Sequence, residues 1–471
     1  MKKAYFIGIC GAGMSAVANL LKSKGWQISG SDEGFYPPVS AYLTELGIPC
    51  VPYYSENNIP KDTDMIVIGR NAKLTPEDNK EVKAAFESGI TVKSFPEVLS
   101  ELTKETENMI IVGSYAKSTC TALAAWCLER ALKDPSYFIG AVPKTPDSSS
   151  RLGKGRYFVL EGDEYPASNW DTSSKFLYYN PKHVLLTSLV HDHVNVFKTL
   201  ESYLEPFSKL VKMIPREGKL IACVDGENVR EFIDKNFPGA VTYGLKNSAD
   251  WTAQDIQYGA QTFFNLVHNG KKIVSLKTGL LGKHNIENII GVSALLLSEN
   301  AVTTEELASG VETFQTLARR LDLKSEKTTL KIYEGFGSSF TKARAAIEAI
   351  KLHYPDKRLI IIFEPHTFSW RNSDYISQYD NVFEGADKVF IYKPPLQGAA
   401  THNQLTLGDI VNRVKKSGTK VTGFEDVKEG LKLIQNEWKA DDAILILTSG
   451  DLDGLVELIP KSAEKQFPAI N

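Results

Sequence analysis

The chain of 471 residues has no apolar run approaching the ~18 residues of a membrane-spanning helix, which excludes the simplest membrane architecture. It has no basic excess. With 54 Lys and Arg against 57 Asp and Glu the net charge is -3, so the electrostatic footprint of a nucleic-acid binder is missing. Cysteine is scarce: Cys10, Cys50, Cys120, Cys127 and Cys223 form an odd set without metal-type spacing. That argues against a disulfide framework and suits a reducing cytosol. There is no internal repeat and no low-complexity segment. The start "MKKAYFIGICGAGMSAVA" imitates a secretory leader, with a basic end and an Ala16–Val17–Ala18 triplet, but glycines interrupt its apolar part. The expectation is a cytoplasmic protein, a monomer or weak homo-oligomer, with neither nucleic acid nor membrane as partner.

What is present is alternation. Short runs rich in Val, Ile and Phe ("KAYFIGIC", "DMIVIG", "RLIIIFEP") alternate with amphipathic helical stretches. This predicts an α/β protein of βαβ units with mostly parallel sheets. The length suggests about three domains. A polar stretch at 103–108 and the segment 314–322 place the boundaries, giving 1–107, 108–318 and 319–471, each long enough for a core of its own.

Two loops follow strands and open helices. In "GICGAGMSAVANLL", Gly8, Gly11 and Gly13 allow a tight turn and close approach of N–H groups to a diphosphate, with a helix expected from near Met14. The spacing G-x-x-G-x-G differs from the dinucleotide fingerprint and does not separate NAD from a UDP-sugar. Asp32, after the second strand, is placed to meet a ribose or sugar hydroxyl. The second loop, "VGSYAKST", has Gly113, Lys117 and Ser118 in a compact version of the phosphate-binding loop: Lys117 for the β- and γ-phosphates, Ser118 for Mg²⁺. Ile111 and Ala116 stand at its glycine positions, and left-handed φ at Ala116 costs about 1–2 kcal/mol.

Carboxylates and histidines follow. Glu161, Asp163 and Glu164 cluster where a strand ends, which demands cations or donors. His191, Asp192 and His193 close another expected strand. "GLLGKHNIENIIG" places Asn285 and Asn288 one helical turn apart, able to reach an adenine edge.

Together these elements, in this order, resemble the Mur ligase family over nearly the whole chain. The family reads "GICGAGMSAVANLL" as its UDP-binding loop, "VGSYAKST" as its ATP loop, "LEGDEY" and "HDH" as metal segments, "GKHNIENIIG" as G-x-H-N-x-x-N and "ARRLD" as an arginine pair. The resemblance implies three domains: a Rossmann-like UDP-binding domain, a central P-loop-type ATPase domain and a Rossmann-like C-terminal domain for the amine. It implies ATP and Mg²⁺ as cofactors, and UDP-N-acetylmuramate with an amino acid or short peptide as substrates. It assigns Gly11, Ala12, Gly13, Met14, Ser15 and Asp32 to the UDP part. It assigns Gly113, Ser114, Lys117, Ser118, Thr119, Asn285 and Asn288 to ATP. Ser118, Glu161 and His193 become metal ligands, Lys117 and Arg320 catalytic residues, and His366 an acceptor-site residue. The forms D-E-Y and S-K-F resemble the family's murein peptide ligase branch, which implies attachment of L-Ala-γ-D-Glu-meso-diaminopimelate in peptidoglycan recycling. The L-alanine-adding ligase and a non-catalytic binding relative are the alternatives.

The sequence also departs from the family. Ala116 replaces a glycine, and Asn195 stands where an aspartate is common. "YEGFGSSFTKARAAIEA" replaces D-D-[YF]-x-H-x-P, with Glu334 at the first aspartate and Gly335 at the second. In "FEPHTFSWR", His366 and Thr367 replace the commoner basic pair.

Overall fold

The structure, a computed structural model, describes residues 1–35, 39–193, 196–246, 248–396 and 403–469. Its strands form three sheets. The first holds β1 (Lys3–Ile7), β2 (Gln27–Ser31), β3 (Cys50–Val51), β4 (Met65–Ile68) and β5 (Thr91–Lys93) in the order β3-β2-β1-β4-β5, all parallel. The second holds β6 (Glu107–Val112), β7 (Ser136–Phe138), β8 (Ser150–Arg151), β9 (Tyr157–Glu161), β10 (His183–Leu186), β11 (Lys219–Cys223), β12 (Val241–Tyr243), β13 (Trp251–Gln257), β14 (Thr262–His268) and β15 (Lys271–Thr278). Its order is β15-β14-β13-β12-β11-β10-β6-β9-β7-β8, with a parallel run from β11 to β7. The third holds β16 (Arg320–Leu323), β17 (Lys331–Gly335), β18 (Leu359–Phe363), β19 (Lys388–Tyr392), β20 (Val421–Phe424) and β21 (Ala443–Leu447), in the order β16-β17-β21-β18-β19-β20. Only β16 runs against its neighbour there. The mixed α/β architecture with mostly parallel sheets in three domains is the one the alternation predicts. No helix among the described residues is long and apolar enough to cross a membrane.

The strands read as continuous apolar runs because both faces are covered, as parallel sheets require. "MIVI" in β4, "LIIIF" in β18 and "AILIL" in β21 are buried at every position. Turns at strand ends are set by local chemistry. At Gly30 a Cβ would stand 2.4 Å from the Phe6 carbonyl oxygen, so only glycine lets β2 lie against β1 beneath the first loop.

The chain divides into two compact units. One contains Met1–Asp255, Phe264–Leu276 and Glu287–Gln315; the other contains Ile256–Phe263, Lys277–Ile286 and Thr316–Asn471. Within the first unit, the first two sheets share one continuous apolar cluster, from Phe6, Met14 and Phe95 to Val112, Phe138 and Phe158. Phe95 and Phe138 stack at 6.1 Å. Asn169 donates to the Asn71 and Leu74 carbonyls, both at 2.8 Å, and the Ser150 hydroxyl to the Ala16 carbonyl at 3.2 Å. The core expected for each of the first two segments alone is thus partly held in common, because Phe95 and Met14 face across rather than inward.

β10 begins at a buried histidine. His183 Nε2 lies 3.2 Å from Glu299 Oε2, while Lys219 reaches Glu299 Oε1 at 2.6 Å. Burial pushes the imidazole down from 6.5 to about 4, against the pull of Glu299. His183 is therefore neutral in the fold and takes up a proton near pH 6.5 once unfolded. Its contribution is complete above that pH and is lost as pH falls toward 4, at no more than about 1.4 kcal/mol per pH unit. Urea unfolding of His183→Leu should show a shallower loss of stability than the parent between pH 6.5 and 4.5. Parallel curves would refute this assignment.

Candidate active site

The first loop leaves β1 through Gly8 at φ +81° and enters the helix Ala12–Ser23. The helix starts at Ala12, two residues before the expected position, so Ala12, Gly13 and Met14 present the backbone N–H groups that no helical carbonyl accepts. A Cβ at Gly13 would meet the Phe95 ring at 3.0 Å. Met14 and Ser15 are buried, and the Ser15 hydroxyl donates to Ala12 O at 3.1 Å. Their side chains belong to the core, which leaves only their backbone for a ligand. Asp32 accepts from Cys10 N and Gly34 N, both at 2.9 Å, and from the Tyr54 hydroxyl at 3.4 Å. It clasps the glycine loop and stays partly exposed.

The second loop leaves β6 at Gly113, whose φ is +132°. A Cβ there would lie 2.2 Å from Thr187 Oγ1, so glycine is obligatory. Ser114 Oγ donates to Val190 O at 2.6 Å and meets the Tyr203 hydroxyl at 2.9 Å. Ala116 adopts φ +65°, ψ -2°, the left-handed geometry glycine would supply, and caps the helix Lys117–Arg130. The loop therefore keeps its backbone path at the strain expected of an alanine there. Lys117 Nζ donates to Gly113 O at 2.6 Å and to Glu164 Oε2 at 2.9 Å. Ser118 Oγ donates to Glu161 Oε1 at 3.0 Å, and Glu161 Oε2 accepts from Gly140 N at 2.7 Å. Thr119 is buried in the first turn.

Three carboxylates follow β9, each with its own partner. Glu164 is fully buried and joins Lys117 to His193, whose Nε2 lies 3.0 Å from Glu164 Oε1. Its hydrogen bond raises the His193 pKa against the effect of burial. Burial alone would raise the Asp163 carboxyl, but Lys175 at 2.5 Å holds it below the ordinary value. The Lys175 ammonium also sits 5.2 Å from the Phe95 ring and 5.9 Å from that of Tyr165. The sequence-predicted metal set thus divides: Ser118 meets Glu161, while His193 meets Glu164. Among the described residues no group of three or more His, Cys, Asp and Glu side chains is gathered as a metal site. A hydroxyl and a carboxylate suit Mg²⁺, which keeps most of its waters. His193 suits it less, because Nε2 is the nitrogen bound to Glu164.

Of the His191–His193 triplet only His193 reaches the carboxylates. The strand ends at Leu186, His191 Nε2 bonds Phe197 O at 3.0 Å, and Asp192 accepts from His193 N at 2.7 Å. Asn195 lies outside the described residues. Asn285 and Asn288 are buried on the helix Lys283–Ser298, Asn285 in the second unit and Asn288 in the first. The Asn285 amide donates back to Leu281 O at 2.8 Å.

In the second unit, Arg320 opens β16 as an exposed residue, while its neighbour Arg319 takes the structured role. Arg319, at φ +65°, bonds Glu334 Oε1 at 3.0 Å, Thr448 O at 3.2 Å and Gly450 O at 2.5 Å. Glu334 is buried and also holds Lys324 at 2.9 Å, so it is an internal ion-pair centre and not a replacement for the family's ligand-facing aspartate. The altered turn is fixed by Trp370 Nε1 on Gly337 O at 2.7 Å and Thr367 Oγ1 on Ser338 O at 2.9 Å. His366 Nδ1 lies 3.3 Å from Glu364 Oε1, and the Thr448 hydroxyl donates to Glu364 Oε2. The sequence singled out Glu164 only as one of a carboxylate cluster and did not single out Glu364 and Thr448; the signal for Glu364 was its place directly after an all-apolar strand.

Ala116→Gly should leave stability unchanged or raise it by up to about 1 kcal/mol, since relief of about 1–2 kcal/mol of strain is offset by about 0.5–1 kcal/mol of glycine entropy. Ala116→Val should lower it. Chemical unfolding of both variants checks the sign, and a clear loss with glycine would contradict the left-handed assignment.

Residues 3–107 match the model of the Mur ligase family catalytic domain, and residues 111–296 that of the Mur ligase middle domain. A UDP-N-acetylmuramate–L-alanine ligase of Endomicrobium trichonymphae is 30% identical over 452 residues, covering 95% of this chain and 96% of that one. A UDP-N-acetylmuramate–L-alanyl-gamma-D-glutamyl-meso-2,6-diaminoheptandioate ligase of Haemophilus influenzae is 25% identical over 467 residues, 98% of each chain. The solved structure of the UDP-N-acetylmuramate–alanine ligase of Thermotoga maritima shares the fold at TM-score 0.80, with 22% identity over 99% of this chain and 100% of that one. By these two domain matches and the 30% identity over nearly its whole length, the chain belongs to the Mur ligase family, ATP-dependent ligases that form amide bonds.

Proposed function

We propose that the protein joins the carboxylate of UDP-N-acetylmuramate to the amine of L-alanine, through an acyl phosphate made with ATP. The observation that carries the reading is the second loop: with Ala116 left-handed, Lys117 spans the loop mouth and Ser118 meets Glu161, as phosphate and Mg²⁺ chemistry needs. The acceptor is chosen from the relatives. Those named for L-alanine reach 30% identity against 25% for the peptide ligase of Haemophilus influenzae, which turns the reading away from the recycled peptide.

In this reading 1–107 takes the UDP-sugar, 108–318 the ATP and 319–471 the amine. Backbone N–H groups of Ala12, Gly13 and Met14 hold the diphosphate, with Asp32 fixing the loop behind them. Lys117 and the first-turn N–H groups of Ser118 and Thr119 hold the ATP phosphates. Ser118 Oγ and Glu161 hold Mg²⁺, which supplies charge neutralisation for phosphoryl transfer. Glu164, buried between Lys117 and His193, keeps both side chains aimed. The catalytic task of the chain is positioning and charge complementarity.

A tripeptide acceptor remains as a second reading on one observation: the D-E-Y and S-K-F segments build the Asp163–Lys175 pair between the Phe95 and Tyr165 rings. Phosphate release with Mg-ATP and UDP-N-acetylmuramate, adding L-alanine or tripeptide in turn, decides between them. Release driven by L-alanine is the expected result; release with tripeptide alone would reverse it, and release with neither would leave a binding protein. Lys117→Ala should lower turnover by about 10³-fold or more. Retained turnover would remove its phosphate role.

A further inference from the structure

The third sheet is doubly wound, and its strand order reverses between β18 and β21. β18 and β19 run outward toward β20, while the chain returns to lay β21 between β17 and β18. Helix Phe340–His353 packs in one core with Trp370 and Tyr379, and helix Leu455–Gln466 in the core on the other face. The loops leaving β18 and β21 therefore part to opposite faces, which makes the crevice where open α/β sheets take ligands. What stands there is a connected set of three side chains. The Thr448 hydroxyl donates to Glu364 Oε2, and Glu364 Oε1 faces His366 Nδ1 at 3.3 Å. Thr448 is fully buried and Glu364 is 6% exposed, whereas the His366 side chain is 33% exposed. Gly450 makes room for the set: a Cβ there would lie 2.6 Å from both Glu364 Oε2 and His366 Nδ1. Arg319 holds that loop through the Thr448 and Gly450 carbonyls.

The carboxylate fixes the proton on His366 Nδ1. That leaves Nε2 as a lone-pair acceptor, and it has no hydrogen-bond partner among the described residues. We propose that His366 is the general base for the incoming ammonium group, and that Glu364, held by Thr448, is the residue that positions it. The proposal rests on the ligase reading above. In the step, His366 Nε2 takes one proton from R–NH₃⁺. The freed amine nitrogen attacks the acyl carbon, the C–N bond forms, the C–O bond to phosphate breaks, and inorganic phosphate leaves. The second amine proton and the imidazolium proton pass to solvent or phosphate.

Hydroxylamine separates this role from a structural one, because it is largely neutral at pH 7 and attacks an acyl phosphate without a base. The full-length protein is assayed with Mg-ATP and UDP-N-acetylmuramate, using L-alanine, the tripeptide or hydroxylamine as acceptor. His366→Asn should lose about 100-fold with the amine acceptor that the parent uses, and Glu364→Gln at least about tenfold. Both should form hydroxamate at the parent rate within about twofold, and Glu364→Asp should recover part of the amine rate. Equal losses with amine and hydroxylamine would mean that the set is only structural. Full amine rates in both variants would remove it from the reaction. A parent enzyme that forms no hydroxamate and no amide would overturn the ligase reading and this inference together.

Discussion

The site in the first unit hangs on one buried charge. Glu164 has no exposed surface, and a carboxylate in that position is tolerable only when it is paired and hydrogen-bonded. Its partners are Lys117 and His193, brought from the helix after β6 and the loop after β10. Removing either would leave the buried carboxylate with a single side-chain partner. The pairing therefore fixes where the lysine ammonium points, and with it the geometry of the loop from Gly113 to Ser118. Glu161 is held separately by Ser118 and Gly140, so two neighbouring carboxylates serve two different partners without competing.

Much of the architecture was legible in the sequence because it depends on local rules. Apolar runs of four to six residues followed by small-residue loops announced the parallel strands, and the loops at Gly8–Met14 and Gly113–Thr119 fell where strand meets helix. Ala116 was legible in the same way. A motif that wants left-handed backbone before its lysine predicts that backbone whatever residue stands there, and the chain obeys it at φ +65°.

What stayed illegible depends on strand order. Nothing in the sequence places Thr448 against Glu364, 84 residues away; only the insertion of β21 beside β18 does so. The Arg319–Glu334 pair was illegible for a related reason. Arg319 lies just before β16, and its left-handed turn, which the sequence does not announce, carries its side chain to Glu334. The His191–His193 triplet looked like one cluster because it is contiguous, but contiguity without a strand beneath it sends the two imidazoles to different partners. The bonds of Asp32 to Cys10 and Gly34, which tie it to the glycine loop, are likewise not visible in the sequence.

The two halves of the proposed reaction ask for opposite electrostatics, and the two sites proposed for them would meet that demand separately. Activating a carboxylate with a nucleoside triphosphate requires concentrated positive charge, which the first unit supplies through Lys117 and the helix termini at Ala12 and Lys117. Releasing an amine from its ammonium form requires a basic nitrogen, and a lysine-rich phosphate site would hold such a nitrogen poorly, because nearby cations oppose its protonation. In the second unit Arg319 and Lys324 are bound to Glu334, beside the contact between Glu364 and His366. Glu334, at the position of the family's first aspartate, neutralises the arginine that supports the Thr448–Gly450 loop, beside the Glu364–His366 contact.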